Sequence, residues 1–327
     1  MEQRQIGQTN LKVDILGLGC APLGGNFVDL NYDQGAELID AAFNAGISYF
    51  DTAPWYGFGR SERVVGDKLR NRNFIISSKV GRILKPGAVT VPLDYGMINP
   101  MPFHPIYDYT YDGIMRAYED SLQRLGLEKI DILLVHDIGT FQHGQENTQH
   151  FKNLAQSGCK ALSELRDSKA VEAIGLGVNE NQICLDALKI SSWDVFLLAG
   201  RYTLLEQTAL DELFPACSKS GTSIICGGPF NSGILVGREM WNYAKAPRAI
   251  IEKASALSRI AEEFNIPLAA AALQFPQANK LVSSVIPGPR SKAEVLDIIK
   301  WQNLAIPSEF WNVLKERKLL RKDAPTP

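Results

Sequence analysis

Short apolar runs alternate with longer amphipathic stretches along most of the chain. Eight of the apolar runs are rich in Val, Ile and Leu and predict β-strands. Several are apolar nearly throughout, which is typical of parallel strands that are covered on both faces. The predicted strands cover residues 13–19, 47–52, 74–80, 130–137, 171–178, 194–200, 222–228 and 281–288.

The stretches between these strands have the period of amphipathic helices. Within residues 111–126, Ile114, Tyr118 and Leu125 share one face of a predicted helix, and Gly126 marks its end. Strand-then-helix units repeated in this way predict a (β/α)8 TIM barrel, an α/β fold, formed as a single domain by the whole chain of 327 residues. An open, doubly wound sheet is the alternative.

Two long segments, residues 81–110 and 228–247, have no regular pattern. Structureless loops of that length in a compact domain are usually functional. Because both segments follow predicted strands, we expect both to lie over the C-terminal mouth of the barrel, where active sites form.

The first predicted strand runs into the sequence "GLGCAPLGG". Gly17 and Gly19 begin the G-x-G-x-x-G pattern of a dinucleotide-binding turn, but Pro22 stands where its third glycine belongs. We therefore interpret the glycines as packing positions at the bottom of the barrel, followed by a tight turn.

Composition and charge exclude several classes of protein. With 45% hydrophobic residues and a net charge of −2, the chain is typical of a globular protein and shows no basic excess for nucleic acid. It has no apolar stretch of membrane-spanning length, and its first residues do not resemble a targeting signal. The five cysteines form no C-x-x-C pair. We expect a cytoplasmic protein, monomeric or weakly homo-oligomeric, that acts on a small molecule.

Four residues at or near predicted strand ends carry chemistry. Asp51 and Lys79 close two strands, His136 closes a third, and Tyr56 follows Asp51 in the next loop. Each residue alone has an ordinary structural explanation. A barrel, however, brings all of its strand ends to one rim, so together the four predict an active site.

A metal-dependent hydrolase is disfavoured. The chain has four histidines, His104, His136, His143 and His150, and neither an H-x-H nor an H-E-x-x-H motif. A catalytic metal needs clustered His and carboxylate ligands, so we predict that no metal is bound.

The segments "FDTAPWYGFGRSE", "SSKVG", "LLVHD", "GLGVN" and "VSSVIPGPRS" resemble the aldo-keto reductase family, in order and over nearly the whole chain. The resemblance implies an NAD(P)-dependent oxidoreductase with a catalytic tetrad of Asp51, Tyr56, Lys79 and His136. It also implies that the nicotinamide cofactor lies across the barrel mouth without a Rossmann domain.

The cofactor residues that the resemblance implies depart from the family pattern at several positions. Val178 stands where a serine is common, Ala199 where many members have glutamine, and Gly227 where an aromatic residue stacks on the nicotinamide. Phe230 and Tyr202 are possible substitutes for that aromatic. The implied cofactor-binding residues are Asn179, Tyr202, Gly228, Phe230, Asn231, Ser232, Gly233, Pro287, Gly288, Arg290 and Glu294. We expect the pyrophosphate to lie along residues 230–233, where backbone N–H groups can approach an anion.

The tetrad has a physical rationale of its own. A phenol titrates near pH ~10, too high for a base at neutral pH. A lysine ammonium ~4 Å away, at an effective dielectric of ~20, would favour the phenolate by about 4 kcal/mol, or about three pKa units before desolvation. We therefore predict that Asp51 holds Lys79, that Lys79 lowers the pKa of Tyr56, and that His136 orients the substrate.

The last helix bears on the choice of cofactor. Members that prefer NADP commonly place an arginine near its start for the 2′-phosphate, and Glu294 stands there in this chain. A carboxylate repels a phosphate and accepts a hydrogen bond from a ribose hydroxyl, which favours NAD. Arg290 and Lys292 lie close by, so NADP remains possible.

Within the family, the chain resembles bacterial aldose 1-dehydrogenases, pyridoxal 4-dehydrogenase and plant L-galactose dehydrogenase. The shared segments include "DTAPWYG", "DILLVHDIG" and "RYTLLEQ". This resemblance implies oxidation of a cyclic hemiacetal, such as L-fucose, D-arabinose or L-galactose, to its lactone. The alternatives are oxidation of pyridoxal to 4-pyridoxolactone, and a regulatory subunit that binds the cofactor without catalysis.

Overall fold

Eight parallel strands form the sheet at the centre of the computed structural model, which describes residues 1–89 and 97–327. Each strand pairs with its neighbours in chain order. The strands are β1 Leu18–Gly19, β2 Tyr49–Asp51, β3 Ile75–Val80, β4 Ile132–His136, β5 Ala173–Val178, β6 Val195–Ala199, β7 Ser223–Gly227 and β8 Val282–Ile286.

The sheet closes into a barrel between its first and last strands. Leu16, just before β1, bridges in parallel to Val285 of β8, and the Gly19 amide donates to the Pro287 carbonyl at 2.9 Å. The eight predicted strands and the (β/α)8 barrel are therefore confirmed, and the open-sheet alternative is wrong.

The strands carry two sets of buried side chains because successive residues face opposite sides. In β4, Ile132 and Leu134 belong to the cluster inside the barrel, whereas Leu133 belongs to the layer between barrel and helices. Both faces are covered, which explains the nearly continuous apolar runs of the sequence.

An N-terminal hairpin closes the barrel at the end opposite the mouth. Gln3–Gln5 pairs antiparallel with Lys12–Asp14. Ile6 and Val13 of this hairpin are fully buried in the interior cluster. One end of the barrel is thus filled with apolar side chains, and the other is left for a site.

A helix follows each barrel strand, and further helices lie in the connections. Those around the barrel are α1 Tyr32–Asn44, α2 Arg60–Leu69, α3 Tyr111–Leu125, α4 Cys159–Asp167, α5 Asn181–Ala187, α6 Leu213–Ser220, α7 Leu268–Gln274 and α8 Lys292–Gln302. The others are Thr140–His143, Asn147–Asn153, Arg248–Glu263 and Ser308–Glu316, a π-helical turn Leu154–Gly158, and 3-10 turns at Ala21–Gly24, Gly144–Glu146, Thr208–Leu210, Asn231–Val236 and Phe275–Ala278. Across the described ranges, none of these helices has the length and apolar character needed to cross a bilayer.

The segment predicted as irregular over residues 81–110 contains a hairpin. Arg82–Pro86 pairs antiparallel with Phe103–Tyr107, and residues 90–96 lie outside the described residues. Ile83 of this ribbon is only 6% exposed. The prediction of a structureless loop is wrong here, because a two-stranded ribbon pairs its own backbone groups and buries an apolar side chain.

The segment 228–247 is also more regular than predicted. The 3-10 turn Asn231–Val236 is followed by a short antiparallel pair, Met240–Trp241 with Ala244–Lys245. Met240 and the turn of this pair line the barrel mouth, so the predicted position of the segment is right although its conformation is not structureless.

The glycines of "GLGCAPLGG" lie nearer the mouth than predicted. Gly19 is the last residue of β1, paired with Asp51, and lines the cavity at the C-terminal mouth. A Cβ at Gly17 would lie 2.5 Å from Cδ1 of Tyr49, so this position needs a glycine for close packing. The prediction of barrel-bottom packing is wrong for Gly19, whereas the tight turn is present at Ala21–Gly24.

A glycine in α2 allows this helix to pack closely on α3. A Cβ at Gly66 would lie 1.9 Å from the Leu125 carbonyl oxygen, and backbone cannot move aside as a side chain can. We expect Gly66→Ala to destabilise the fold by roughly 1–3 kcal/mol in urea unfolding, as overpacking does.

Gly35 in α1 is the matched control. A Cβ there would meet side-chain carbons of Leu23 and Val64 at 3.2 and 3.3 Å, which can shift slightly. Alanine also has the higher helix propensity, by about 1 kcal/mol. Gly35→Ala should therefore stay within about 1 kcal/mol of the wild type. Equal losses in the two variants would contradict this account of the α2–α3 contact.

Candidate active site

Three neighbouring strands and one loop deliver the four predicted catalytic side chains to the barrel mouth. Asp51 ends β2, Lys79 is the penultimate residue of β3, and His136 ends β4. Tyr56 lies in the turn between β2 and α2. The structure therefore brings the four together at one rim, as the strand-end pattern predicted.

Lys79 is the centre of this group. Its Nζ donates to both Asp51 carboxylate oxygens, at 2.9 and 2.8 Å, and to the Thr52 carbonyl at 2.9 Å. It also donates to the Tyr56 hydroxyl at 3.2 Å. An ammonium group donates and never accepts, so the phenol oxygen is the acceptor in this contact and its own hydrogen points away from Lys79.

The Asp51–Lys79 pair is almost completely buried. The side chains of Lys79 and Asp51 are 2% and 3% exposed. Ser77 on β3 donates to Asp51 at 2.7 Å, and its hydroxyl oxygen lies 2.9 Å from that of Tyr49. A buried charge is tolerated when it is paired and fully hydrogen-bonded, and this network meets that condition.

His136 is a neutral imidazole at physiological pH. Burial lowers its pKa well below the ordinary 6.5, and the nearby Arg82 and Lys79 charges lower it further. Its ring stands edge-on to that of Tyr56, with centroids 5.9 Å apart. A neutral imidazole has one N–H donor and one acceptor, so it can hydrogen-bond a reacting oxygen without adding charge.

The charge balance around Tyr56 corrects one prediction. Burial raises its pKa well above the ordinary 10, and the Asp51 and Asp137 carboxylates add to that rise, while Arg82 opposes it. The net shift is upward, so the predicted lowering of the Tyr56 pKa below its ordinary value is wrong. Tyr56 is therefore a protonated phenol at neutral pH.

A groove of about 450 Å³ begins at these residues and extends over the barrel mouth. Asp51 and Tyr56 line one part of it, and Arg290 and Glu294 line another. The structure places most of the predicted cofactor residues along the groove, namely Asn179, Gly228, Phe230, Asn231, Ser232, Gly233, Gly288, Arg290 and Glu294.

Two predicted cofactor residues lie elsewhere. The Tyr202 side chain is 1% exposed and packs against Phe214 and Phe275, so its proposed contact with the nicotinamide is wrong. Pro287 is buried, and its carbonyl serves the closure of the barrel. Their positions in sequence, close to the strand ends, gave no sign of the direction in which they face.

The turn around Asn231 is shaped for a ligand, but less openly than predicted. Asn231 and Ser232 both have left-handed backbone, with φ of 46° and 59°. The amides of Asn231 and Gly233 donate within the turn, to the Gly228 and Phe230 carbonyls. These two N–H groups are therefore not free for a pyrophosphate, which corrects that part of the prediction.

Glu294 is bound to two arginines. Its Oε1 accepts from Arg238 at 3.0 Å and from Arg290 at 3.2 Å, and its Oε2 accepts from the Arg290 amide at 2.8 Å. Lys292, considered above for a phosphate, instead pairs with Glu37 at 3.0 Å. The sequence reasoning missed Arg238, because only the fold of the loop after β7 brings it to α8.

Tyr243 is a second residue that the sequence did not reveal. It lies in the turn of the short pair after β7, lines the groove, and donates from its hydroxyl to Asn179 Oδ1 at 3.3 Å. Phe230 also lines the groove and packs against Trp301 of α8, with ring centroids 5.9 Å apart. No local pattern marks Tyr243, since its neighbours in space are distant in sequence.

The arrangement of donors in the site is not that of a metal centre. Over residues 1–89 and 97–327, no three His, Cys, Asp or Glu side chains are placed to hold a metal ion. All five cysteines are free and buried.

This fold and this mouth define a barrel oxidoreductase that acts on CH–OH groups. The sequence profile of the Aldo/keto reductase family matches residues 15–318, so the chain belongs to the aldo/keto reductase family, as the motifs predicted. Membership implies a nicotinamide cofactor, NAD or NADP.

Two curated relatives align over almost their whole length. The chain is 42% identical to a pyridoxal 4-dehydrogenase of Microbacterium luteolum, over 98% of each chain. It is 34% identical to a D-threo-aldose 1-dehydrogenase of a Pseudomonas species, over 97% of this chain and 96% of the relative. An aldo-keto reductase structure from Bacillus halodurans shares the fold, with a TM-score of 0.78, 24% identity and coverage of 98% and 97%.

The contacts of Lys79 predict how its loss alters the pH dependence. Lys79→Met would leave Asp51 as an unpaired buried carboxylate, which raises the pKa of Tyr56 further. We expect the alkaline rise in kcat/KM for alcohol oxidation to move to higher pH and the rate to fall. The unfolding free energy should also fall by about 3–5 kcal/mol, because a buried charge is left unpaired.

Lys68→Met is the control for this substitution. Lys68 forms a more exposed ion pair with Asp40 at 2.7 Å, remote from the site, so its loss should leave the pH profile in place. If Lys79→Met merely scales the profile down with its shape retained, Lys79 does not tune Tyr56.

Proposed function

We propose that this protein oxidises the ring carbon of a cyclic hemiacetal to a lactone, with NAD as its preferred cofactor. The contact of Tyr56 with the buried Lys79–Asp51 pair, at the edge of the groove, is the observation that carries the proposal. The high identity to two enzymes whose names specify oxidation of pyridoxal and of an aldose supports it.

The groove fits a dinucleotide. Its lining includes the Asn179 amide, several glycines, and the guanidinium groups of Arg238 and Arg290. We propose that Asn179 holds the nicotinamide carboxamide and that the two arginines lie beside the adenosine. When bound, the oxidised nicotinamide supplies the hydride acceptor.

Tyr56 handles the proton of the substrate hydroxyl. Lys79 donates to the phenol oxygen from one side, which leaves the other side of that oxygen for the substrate. As phenolate, Tyr56 accepts the hydroxyl proton while the hydride leaves the same carbon, and the carbon–oxygen double bond of the lactone forms. His136 donates a hydrogen bond that orients the reacting oxygen.

The protonation state of Tyr56 determines whether reduction or oxidation is favoured at neutral pH. Because burial raises its pKa, the resting phenol is ready to donate a proton, as reduction requires. Oxidation draws on the phenolate fraction, which grows about tenfold per pH unit below the pKa. The proposal therefore implies faster oxidation at alkaline pH.

Two classes of ring are candidates for the substrate. The sequence motifs placed the aldoses first, and the 42% identity to a pyridoxal 4-dehydrogenase now favours the internal hemiacetal of pyridoxal. Both substrates present a ring carbon that bears a hydroxyl and a hydrogen, so Tyr56 would act on them in the same way.

A substrate panel tests the proposal. Pyridoxal, L-fucose, D-arabinose and L-galactose would each be incubated with NAD at alkaline pH, and NADH absorbance would be followed. We expect turnover of at least one of them, and a loss of about 10²- to 10⁴-fold in Tyr56→Phe, which lacks the proton acceptor.

Tyr118→Phe is the matched control, because it removes a hydroxyl that donates to the Ala170 carbonyl at 3.2 Å, away from the mouth. Its turnover should equal that of the wild type. Near-normal turnover in Tyr56→Phe would contradict the mechanism, and cofactor binding without turnover of any of the four compounds would favour the regulatory-subunit alternative.

The preference for NAD rests on Glu294. Its carboxylate engages the guanidinium groups of Arg238 and Arg290, the two cations of the groove that could otherwise bind a 2′-phosphate. In Glu294→Gln, both are released. We expect the ratio of kcat/KM values to move toward NADP by roughly tenfold to a few hundredfold, since charged hydrogen bonds are worth about 1.5–3 kcal/mol.

Most of that change should lie in the KM of the cofactor, because the 2′ position is remote from the hydride and binds ground state and transition state alike. The control is Asp297→Asn, which removes an exposed ion pair with Lys300 on the same helix. It should leave the ratio of kcat/KM values for the two cofactors unchanged. A wild type that prefers NADP would show that Glu294 does not exclude the phosphate.

A further inference from the structure

Asp137 follows His136 directly and connects two strand ends. Its backbone is left-handed, with φ of 45°, a conformation that few residues other than glycine adopt. Its amide donates to the Gly177 carbonyl of β5 at 2.8 Å. The chain thus turns sharply after β4, and the Asp137 carboxylate lies beside the residues that follow β5.

The carboxylate of Asp137 makes two short contacts. Oδ1 accepts from Asn179 Nδ2 at 3.0 Å, and Oδ2 accepts from Arg82 Nη2 at 2.7 Å. His136 Nε2 lies 3.4 Å from Oδ2. Asp137 therefore stands between the proposed substrate-orienting histidine and the proposed cofactor-binding amide.

Arg82 holds this carboxylate from within the protein. Its side chain is 1% exposed, and its guanidinium carbon lies 4.3 Å from the centroid of the Trp55 ring and 5.4 Å from that of Tyr107. A buried guanidinium needs a counter-ion and favours aromatic faces. Arg82 is thus fixed by packing, and it fixes Asp137.

The contacts of Asn179 determine which way its amide faces. A carboxylate only accepts hydrogen bonds, so the Asn179 nitrogen must face Asp137, and its oxygen accepts from Tyr243 on the other side at 3.3 Å. One N–H and one lone pair of the amide then remain for a ligand. That pair matches the donor and acceptor of a primary carboxamide.

We propose that Asp137, held by Arg82, is a positioning residue that fixes the Asn179 amide for recognition of the nicotinamide carboxamide. The inference rests on the proposed function, which requires a nicotinamide cofactor. Val178 and Ala199 lack the side-chain polar groups that the family pattern places at their positions, so in this chain more of the recognition depends on Asn179 and on the residue that holds it.

The test separates binding of the nicotinamide from binding of the rest of the cofactor. Calorimetric titrations with NADH and with ADP-ribose, which lacks the nicotinamide, would be compared for wild type and Asp137→Ala. We expect the advantage of NADH over ADP-ribose to fall by roughly tenfold in the variant, about the worth of one or two hydrogen bonds, with ADP-ribose affinity unchanged.

Asp194→Ala is the matched control. Asp194 accepts from Arg166 at 3.2 Å and from the Ile174 amide at 2.9 Å. Its side chain is 14% exposed, against 17% for Asp137, and it lies next to the strand starts, away from the mouth. It should leave the affinities for NADH and ADP-ribose unchanged. If Asp137→Ala loses affinity for NADH and for ADP-ribose equally, Asp137 has a structural role only, and the inference is overturned.

A second readout reports the charges that Asp137 and Arg82 place near Tyr56. The charged and titratable groups around Tyr56 are Asp51, Lys79, Cys20, Tyr49, His136, Asp137, Arg82 and Tyr243. Asp137 raises the pKa of Tyr56 and Arg82 lowers it. Asp137→Asn leaves Arg82 unpaired and should move the alkaline rise in oxidation to lower pH. Arg82→Met leaves Asp137 unpaired and should move it to higher pH.

The outcomes distinguish the two proposals. A wild type that binds NADH no more tightly than ADP-ribose would contradict the nicotinamide site itself. A wild type that prefers NADH, with Asp137→Ala unchanged in that preference, would overturn the positioning role alone. In Asp137→Asn, an oxygen acceptor remains for Asn179, so this variant should keep more of the NADH advantage than Asp137→Ala.

Discussion

The burial of one ammonium group organises the barrel mouth. Lys79 lies on the third barrel strand with its side chain 2% exposed, and an uncompensated charge in such a place would cost several kcal/mol. Asp51 must therefore end the preceding strand, Ser77 and Tyr49 must support Asp51, and the Thr52 carbonyl and the Tyr56 hydroxyl take the remaining N–H groups. The hydrogen bonds that the Lys79 ammonium needs therefore also fix the position of the Tyr56 hydroxyl at the groove.

The same electrostatics leaves the site in a defined resting state. Burial, with the Asp51 and Asp137 carboxylates, raises the pKa of Tyr56 and keeps the phenol protonated. Burial also keeps His136 neutral. Around them, the Arg82–Asp137 pair adds two opposite charges at close range. A site built from paired charges presents hydrogen bonds to a substrate without a strong net field.

The sequence predicted the architecture because parallel strands leave a distinct pattern. All eight strands were recognised from their apolar runs, and the observed bounds differ mainly at the ends, where pairing stops before the apolar run does. The four residues Asp51, Tyr56, Lys79 and His136 could be grouped because a barrel brings its strand ends together. The N-terminal hairpin was missed, since it was merged with the first predicted strand.

What the sequence could not provide depends on contacts between distant segments. Arg238 reaches Glu294, and Tyr243 reaches Asn179, only after the loop after β7 has folded over the mouth. Tyr202 faces the core rather than the groove. The pKa of Tyr56 was misjudged for a related reason: the sequence shows that a lysine is near, but not that burial of the phenol outweighs the effect of its charge.

Hydride transfer from the hemiacetal carbon is the central claim, and isotopic labelling tests it most directly. A substrate that is turned over would be prepared with deuterium at the ring carbon that bears the hydroxyl, and the reduced cofactor would be analysed by mass spectrometry. The account predicts one deuterium in the reduced nicotinamide and a slower chemical step than with hydrogen. Deuterium released to water, with an unlabelled cofactor, would contradict it.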